Sequence, residues 1–285
     1  MKKYIKLIRV KHWIKNELIF LPLFCSFTFS KESIISTILA FFAFSFMASF
    51  IYIINDIRDV EKDRNHPRKK NRPIASGAIS VKKAIFVAAI LIIASFGTNF
   101  LATKTLLNPA LGFLLAYLIV NICYSFGMKN IPIVDVALLT AGFVIRVYYG
   151  AAIISVPVST WLFLTILNAS LYLGLGKRKK ELKIKDEVRP VLKNYNENFI
   201  NNFMNICLTL VIVFYSLWTM EQTNTILYLS VPLLIVLFMQ YMLFMETSDE
   251  GDPITLLFQH KSLMITALIY ALFMIVVMIV LRFEY

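Results

Sequence analysis

Residues 53–77 read IINDIRDVEKDRNHPRKKNRPIASG, a charged interruption in a chain that is otherwise mostly apolar. Asp56, Asp59 and Asp63 come first, and seven Lys or Arg follow or interleave between Arg58 and Arg72. Just before them lies an uncharged run, 34–54, long enough to cross a hydrocarbon core as a helix. If that helix continues into the loop at about 100° per residue, the three aspartates share a sector of roughly 60°. Carboxylates on one stripe repel each other unless a positive charge sits between them. Mg2+ suits that place, because it typically takes one or two carboxylates plus substrate phosphate oxygens. Asn55 adds an amide that can orient a carboxylate or bind substrate. A solvated loop, with Asp59 and Asp63 paired to Arg58, Lys62 or Arg64, explains the composition. It does not explain why the acids begin at the membrane boundary on one face.

Working outward, 59% of the 285 residues are hydrophobic, more than a soluble domain of this length can cover with polar surface. Nine apolar runs recur, near 13–29, 34–54, 84–102, 106–126, 131–154, 157–176, 203–220, 226–245 and 263–281. They predict helices, since lipid-facing backbone must satisfy its own hydrogen bonds. The basic opening MKKYIKLIRVKHWIKN is followed by no small-residue cleavage site, so the first run reads as a retained helix. Cys25, Cys123 and Cys207 lie far apart in apolar context and read as packing residues.

Charge sets the expected orientation. With a cytoplasmic N-terminus, 25 of the 29 Lys and Arg fall on the cytoplasmic side and three outside (Lys31, Lys104, Arg282). Arg146 lies within a run. That asymmetry is what the positive-inside rule favours, so the net charge of +12 needs no nucleic acid to explain it. The long charged loops, about 58–83 and 177–202, follow the second and sixth runs and place any chemistry in the cytoplasm.

The pattern N-D-x-x-D-x-x-x-D in NDIRDVEKD, placed just after a second membrane helix in a chain of nine spans, resembles the UbiA superfamily of intramembrane prenyltransferases. The resemblance covers essentially the whole chain as a single transmembrane domain, 1–285. It implies an all-α bundle of nine helices around a central cavity, with Mg2+ held through Asp56, Asp59 and Asp63 on a diphosphate. Most members carry a second Asp-rich motif after span six. Here that loop reads YLGLGKRKKELKIKDEVRPVLKNYN, led by Lys177 and Arg178, with Glu181, Asp186 and Glu187 behind them. Bases in place of acids suit a substrate with more phosphate groups and fewer metals.

Five stretches look like one branch, the decaprenyl-phosphate phosphoribosyltransferases: RVKHWIKNELIFLPLF, NDIRDVEKDRNHPRKKNRPIASG, YSFGMKNIPIVDV, GFVIRVYYG, and GKRKKEL followed by RPVLKNY. The branch joins phosphoribosyl diphosphate to a polyprenyl phosphate lipid and releases diphosphate. The attacking phosphate oxygen is already ionised at neutral pH, so no strong general base is required. That agrees with three scattered histidines, His12, His66 and His260.

On these grounds Asp56, Asp59 and Asp63, supported by Asn55, are the expected metal–diphosphate residues. Lys15, Arg72, Lys129, Lys177 and Arg178 are the expected phosphate ligands. Tyr124 and Ser125 can bond ribose or phosphate. Asp135 and Arg146 share a face, roughly 16 Å apart along the axis, and such residues in lipid should face the bundle interior. Asp135 can bind ribose or orient Lys129, and Arg146 can meet the lipid phosphate or pair with another helix. Glu181 can hold Lys177 or contact ribose, and Arg189 and Tyr195, in the matched RPVLKNY stretch, are expected to form a lid over the polar cavity. Lys62, Lys69, Lys70, Lys179 and Lys180 are expected to be solvated. Two rivals are prenyl transfer from a polyprenyl diphosphate to an aromatic or tetrapyrrole acceptor, and a non-enzymatic transporter or scaffold. Oligomeric state is not legible in the sequence.

Overall fold

The computed structural model describes residues 2–67, 69–183, 190–222, 225–248 and 253–283. Among these residues every regular element is helical. In chain order the α-helices are α1 (Lys2–Leu7), α2 (Leu21–Cys25), α3 (Lys31–Arg58), α4 (Val60–Arg64), α5 (Val81–Thr103) and α6 (Pro109–Ser125). After them come α7 (Val134–Ile153), α8 (Thr160–Lys183), α9 (Glu197–Glu221), α10 (Ser230–Thr247), α11 (Pro253–Gln259) and α12 (Lys261–Phe283).

Five helices are long and apolar enough to cross a membrane: α3, α5, α7, α9 and the stretch Ile226–Thr247 that contains α10. A sixth span results if α11 and α12, bent by 105°, count as one. The chain is therefore a multi-pass membrane protein. The other apolar runs depart from simple spans. The first is not an α-helix: Val10–Phe20 is 3-10, followed by the five-residue α2 with Pro22 in its first turn. The fourth is the 17-residue α6, and the sixth, α8, carries Lys177, Arg178, Lys179 and Lys180 near its end.

Caps explain several boundaries. The Ser30 side chain accepts from Ser33 N at 3.0 Å and starts α3. Asn108 accepts from Leu111 N at 2.8 Å, with Pro109 in the first turn, and starts α6. Asn196 accepts from Phe199 N at 2.6 Å and starts α9. Each side chain satisfies a backbone donor that the helix leaves open.

The chain divides into two compact units. The first comprises Met1–Phe126 and Ile145–Pro157. Its centre is α3 packed along α5, where small residues such as Ala43 and Ala88 are buried and Ser95 Oγ donates to Ala43 O at 2.7 Å. At 28 residues, α3 is roughly 42 Å long, more than a hydrocarbon core of about 30 Å. Its last turn, with Asn55 and Asp56, can therefore stand in the interface. Gly150 of α7 permits a close backbone approach: a Cβ there would lie 2.1 Å from Ile19 O.

The second unit comprises Gly127–Val144 and Val158–Tyr285. Here α8 packs along α9, and α10 packs on α12. Its core includes Val136, Tyr172, Leu175, Ile200, Met204, Tyr241 and Met245.

Candidate active site

In the first unit the acidic stretch does not continue α3 without a break. The helix ends at Arg58, and Asp59 takes φ −92°, ψ 12° before α4 begins. The single-helix stripe expected for the three aspartates is corrected accordingly. Asp59 N still bonds Asn55 O at 3.0 Å and Asp63 N bonds Asp59 O at 2.8 Å, so the chain stays close to a helical path. Asp56 and Asp63, seven residues apart, are buried, while Asp59 is half-buried.

Arg72 joins the two buried acids. Its Nη1 donates to Asp63 Oδ2 at 2.7 Å and to Asp56 Oδ1 at 3.0 Å. Arg9 Nη2 donates to the same Asp56 oxygen at 2.5 Å, and its guanidinium lies over the Tyr52 ring, 4.7 Å from the centroid. Asn55 Oδ1 accepts from Ser125 Oγ at 2.7 Å, and Arg58 Nη1 donates to Ser125 O at 2.5 Å. The structure thus brings together Asn55, Asp56, Asp63, Arg72 and Ser125. Tyr124 and Lys15 are half-buried.

Arg9, which opens the RVKHWIKN stretch, joins the site without any motif spacing that points to it. Its contact with Asp56 spans 47 residues and needs a left-handed backbone (φ 53°) that no spacing rule announces. Among the described residues, no three His, Cys, Asp or Glu side chains converge as a metal-holding group. A pair does converge. Two carboxylates share one cationic nitrogen, so their oxygens surround a point where positive charge is stabilised, and hard oxygen donors in that arrangement suit a divalent cation.

Arg146 belongs to the same unit. Its Nε donates to Asn16 Oδ1 at 2.8 Å and its Nη2 to Tyr117 OH at 3.1 Å, and it lies over the Phe44 and Tyr117 rings. Asn16 Nδ2 continues the network to Ser45 Oγ at 2.9 Å. These contacts favour helix-to-helix pairing for Arg146.

The second unit holds a separate buried network. Arg178 and Asp135 are both fully buried, with Arg178 Nε 2.5 Å from Asp135 Oδ2. Arg178 Nη1 donates to Glu181 Oε2 at 2.6 Å, one turn away. Tyr195 OH donates to Asp135 Oδ1 at 2.6 Å and accepts from Ile133 N at 2.6 Å. Burial, then the bond to Asp135, pushes the Tyr195 phenol up to about 12. Lys129 and Lys177 are half-buried.

Lys179 and Lys180 correct the expectation of solvated charge, for both are buried. Lys179 Nζ pairs with Glu246, and Lys180 Nζ donates to Ser248 O, so a carboxylate and a helix-end carbonyl take the place of water. Asp186, Glu187 and Arg189 lie outside the described residues.

The model of the UbiA prenyltransferase family matches residues 19–263. The chain belongs to the UbiA prenyltransferase family. Within that family, decaprenyl-phosphate phosphoribosyltransferase of Corynebacterium glutamicum is 33% identical over 278 residues, covering 93% of this chain and 83% of that protein. Its namesake in Mycobacterium tuberculosis is 31% identical over 228 residues, covering 76% and 74%. A 4-hydroxybenzoate octaprenyltransferase of Francisella tularensis subsp. novicida is 29% identical over 199 residues, 66% of each chain. The UbiA fold also appears in a solved Archaeoglobus fulgidus UbiA homologue bound to GPP and Mg2+, with TM-score 0.70, 18% identity, and 95% and 96% of the two chains covered. This UbiA family chain is thus a membrane-embedded transferase. Its acidic stretch falls inside the family-matched residues, whereas Arg9 and Lys15 precede them.

Proposed function

We propose that this UbiA transferase moves 5-phosphoribose from phosphoribosyl diphosphate to a polyprenyl phosphate at the cytoplasmic membrane face. In this reading the chain makes nine spans with a cytoplasmic N-terminus. Val10–Phe20 and Leu21–Cys25 contribute the first. An 11-residue 3-10 stretch rises roughly 22 Å, so with α2 it approaches a bilayer's thickness despite its brevity. The observation that carries the reading is the pairing of bases with acids at Asp56. Arg9 and Arg72 crowd that carboxylate, which suits a donor bearing several phosphates.

The reaction is a displacement at ribose C1. An oxygen of the polyprenyl phosphate forms the new C1–O bond, and the bond to diphosphate breaks with its electron pair leaving on diphosphate. Asp56 and Asp63, together with Asn55 and Asp59 of the same motif, would hold Mg2+, which supplies positive charge where the leaving diphosphate gains negative charge. Arg72 sits where its guanidinium can turn from the two acids to a phosphate oxygen, and Ser125 holds the Asn55 amide in place. In the second unit Asp135, Arg178 and Tyr195 tie together the ends of α7 and α8 and the segment before α9. Within that unit their part is to position the segments that carry Lys129 and Lys177, the lysines proposed as phosphate ligands.

The octaprenyltransferase relative supports a second reading, prenyl transfer from a polyprenyl diphosphate to an aromatic acceptor. One assay separates the two. Purified protein in nanodiscs receives phosphoribosyl diphosphate, polyprenyl phosphate and Mg2+, and the lipids are analysed by mass spectrometry. A lipid of polyprenyl phosphate plus phosphoribose, lost with EDTA and in Asp59→Asn, is the expected product. Folded protein that yields none, but prenylates 4-hydroxybenzoate from a prenyl diphosphate, selects the second reading.

A further inference from the structure

Beside Asp56 the first unit carries an open-mouthed cavity of about 570 Å³, within the size range of small-ligand pockets. Lys2, Lys6, Arg9, Lys11 and Arg72 line it, with Asp56 as its carboxylate. Five cations face one acid, and that acid already accepts hydrogen bonds from Arg9 and Arg72. The cavity lining therefore carries more positive than negative charge.

The wall that carries Lys2 and Lys6 is docked, not loose. Leu7 is fully buried and packs with Ile53, Ile74 and Ile79, and Tyr4 and Ile8 join the same cluster. On the polar side, Lys6 Nζ donates to Asn71 O at 2.9 Å and Lys3 Nζ to Ala78 O at 3.4 Å. The amphipathic α1 is thus fastened by its apolar face to α3 and the 73–79 segment. Its lysines line the space next to the acidic pair.

We propose that this N-terminal basic cavity binds a phosphate monoester, the 5-phosphate of the soluble donor, and so selects donors that carry a phosphate in addition to the diphosphate. Lysine and arginine donors around a pocket of this size suit a dianionic phosphate on a small polar body. A prenyl diphosphate has no such second anion to place there. The identity of the donor rests on the phosphoribosyl reading, while the anion site rests on the cavity alone.

The test measures ribose 5-phosphate binding by isothermal titration to protein in neutral-lipid nanodiscs, and again with phosphatidylglycerol present. Lys2→Gln combined with Lys6→Gln should weaken binding on the order of tenfold, as the loss of charge-assisted hydrogen bonds predicts. Lys6→Arg should retain it, and Lys31→Gln should leave it unchanged. In turnover, the double variant should raise KM for phosphoribosyl diphosphate while kcat and KM for polyprenyl phosphate stay constant. Ribose 5-phosphate binding equal in wild type and double variant overturns the proposal. So does displacement of ribose 5-phosphate by phosphatidylglycerol, which would make the cavity a headgroup site. Lysine-dependent binding without phosphoribosyl turnover would retain the cavity and discard the donor reading.

Discussion

Arg72 Nη1 lies 2.7 Å from Asp63 Oδ2, and the same nitrogen reaches Asp56, so one guanidinium occupies the point between two buried carboxylates. A cation that enters between them must compete with this contact. Arg72→Ala is expected to bind Mn2+ at least as tightly as wild type without donor, yet to lose most turnover. Electron paramagnetic resonance of added Mn2+ reads the first effect and the lipid product assay the second. The variant should also lose about 1–3 kcal/mol of stability, because acids sunk in protein are left short of a partner. Weaker Mn2+ binding in Arg72→Ala would show that Arg72 helps to build the metal position.

Arg178 and Asp135 form a fully buried ion pair with Glu181 and Tyr195 around it. Removing one member strands the other, at a cost of about 3–5 kcal/mol. Asp135→Ala and Arg178→Ala should each lower the melting temperature of detergent-solubilised protein markedly. Asp135→Leu together with Arg178→Met should recover much of the loss, since apolar replacement of a whole buried pair is often tolerated. Wild-type melting in Arg178→Ala, with a raised donor KM, would instead assign Arg178 to substrate.

Hydropathy made the apolar helices legible, and the Asp spacing located the cluster at the end of α3, because both are local properties of the chain. Pairing of charges is not local. Arg9 reaches Asp56 across 47 residues, and Lys179 reaches Glu246 across 67, contacts that only tertiary packing creates. The same limit hid the 3-10 form of Val10–Phe20, which is tied to α3 by Trp13 Nε1 to Ser49 Oγ at 3.0 Å and by Asn16 to Ser45. A run of lysines reads as solvated until the carboxylate and carbonyl that receive them are seen.

Gly150 faces Ile19 O, and an added Cβ would stand 2.1 Å from that oxygen. Either the 3-10 stretch or α7 must shift, so Gly150→Ala should destabilise by about 1–3 kcal/mol, the usual cost of overpacking. Gly97 in α5 meets nothing within 4 Å, and Gly97→Ala should be neutral or slightly stabilising. Parallel thermal melts of the two variants check the contrast. Equal effects would mean that the close approach at Ile19 is not maintained in the folded protein.

Burial and the bond to Asp135 push the Tyr195 phenol up to about 12, opposed by the Ile133 amide and the Arg178 charge. An unfolded tyrosine loses its proton near 10, so between these values the folded chain binds one more proton than the unfolded chain. Stability from this phenol is therefore complete below about pH 10 and declines as pH rises towards 12. Tyr195→Phe should remove that alkaline slope. It should also lower stability at neutral pH by about 1–3 kcal/mol, since Asp135 and the Ile133 amide lose their shared partner. Urea melts at pH 8 and pH 11 on wild type and variant measure both effects. A difference between the two proteins that does not change with pH would place the Tyr195 phenol in water.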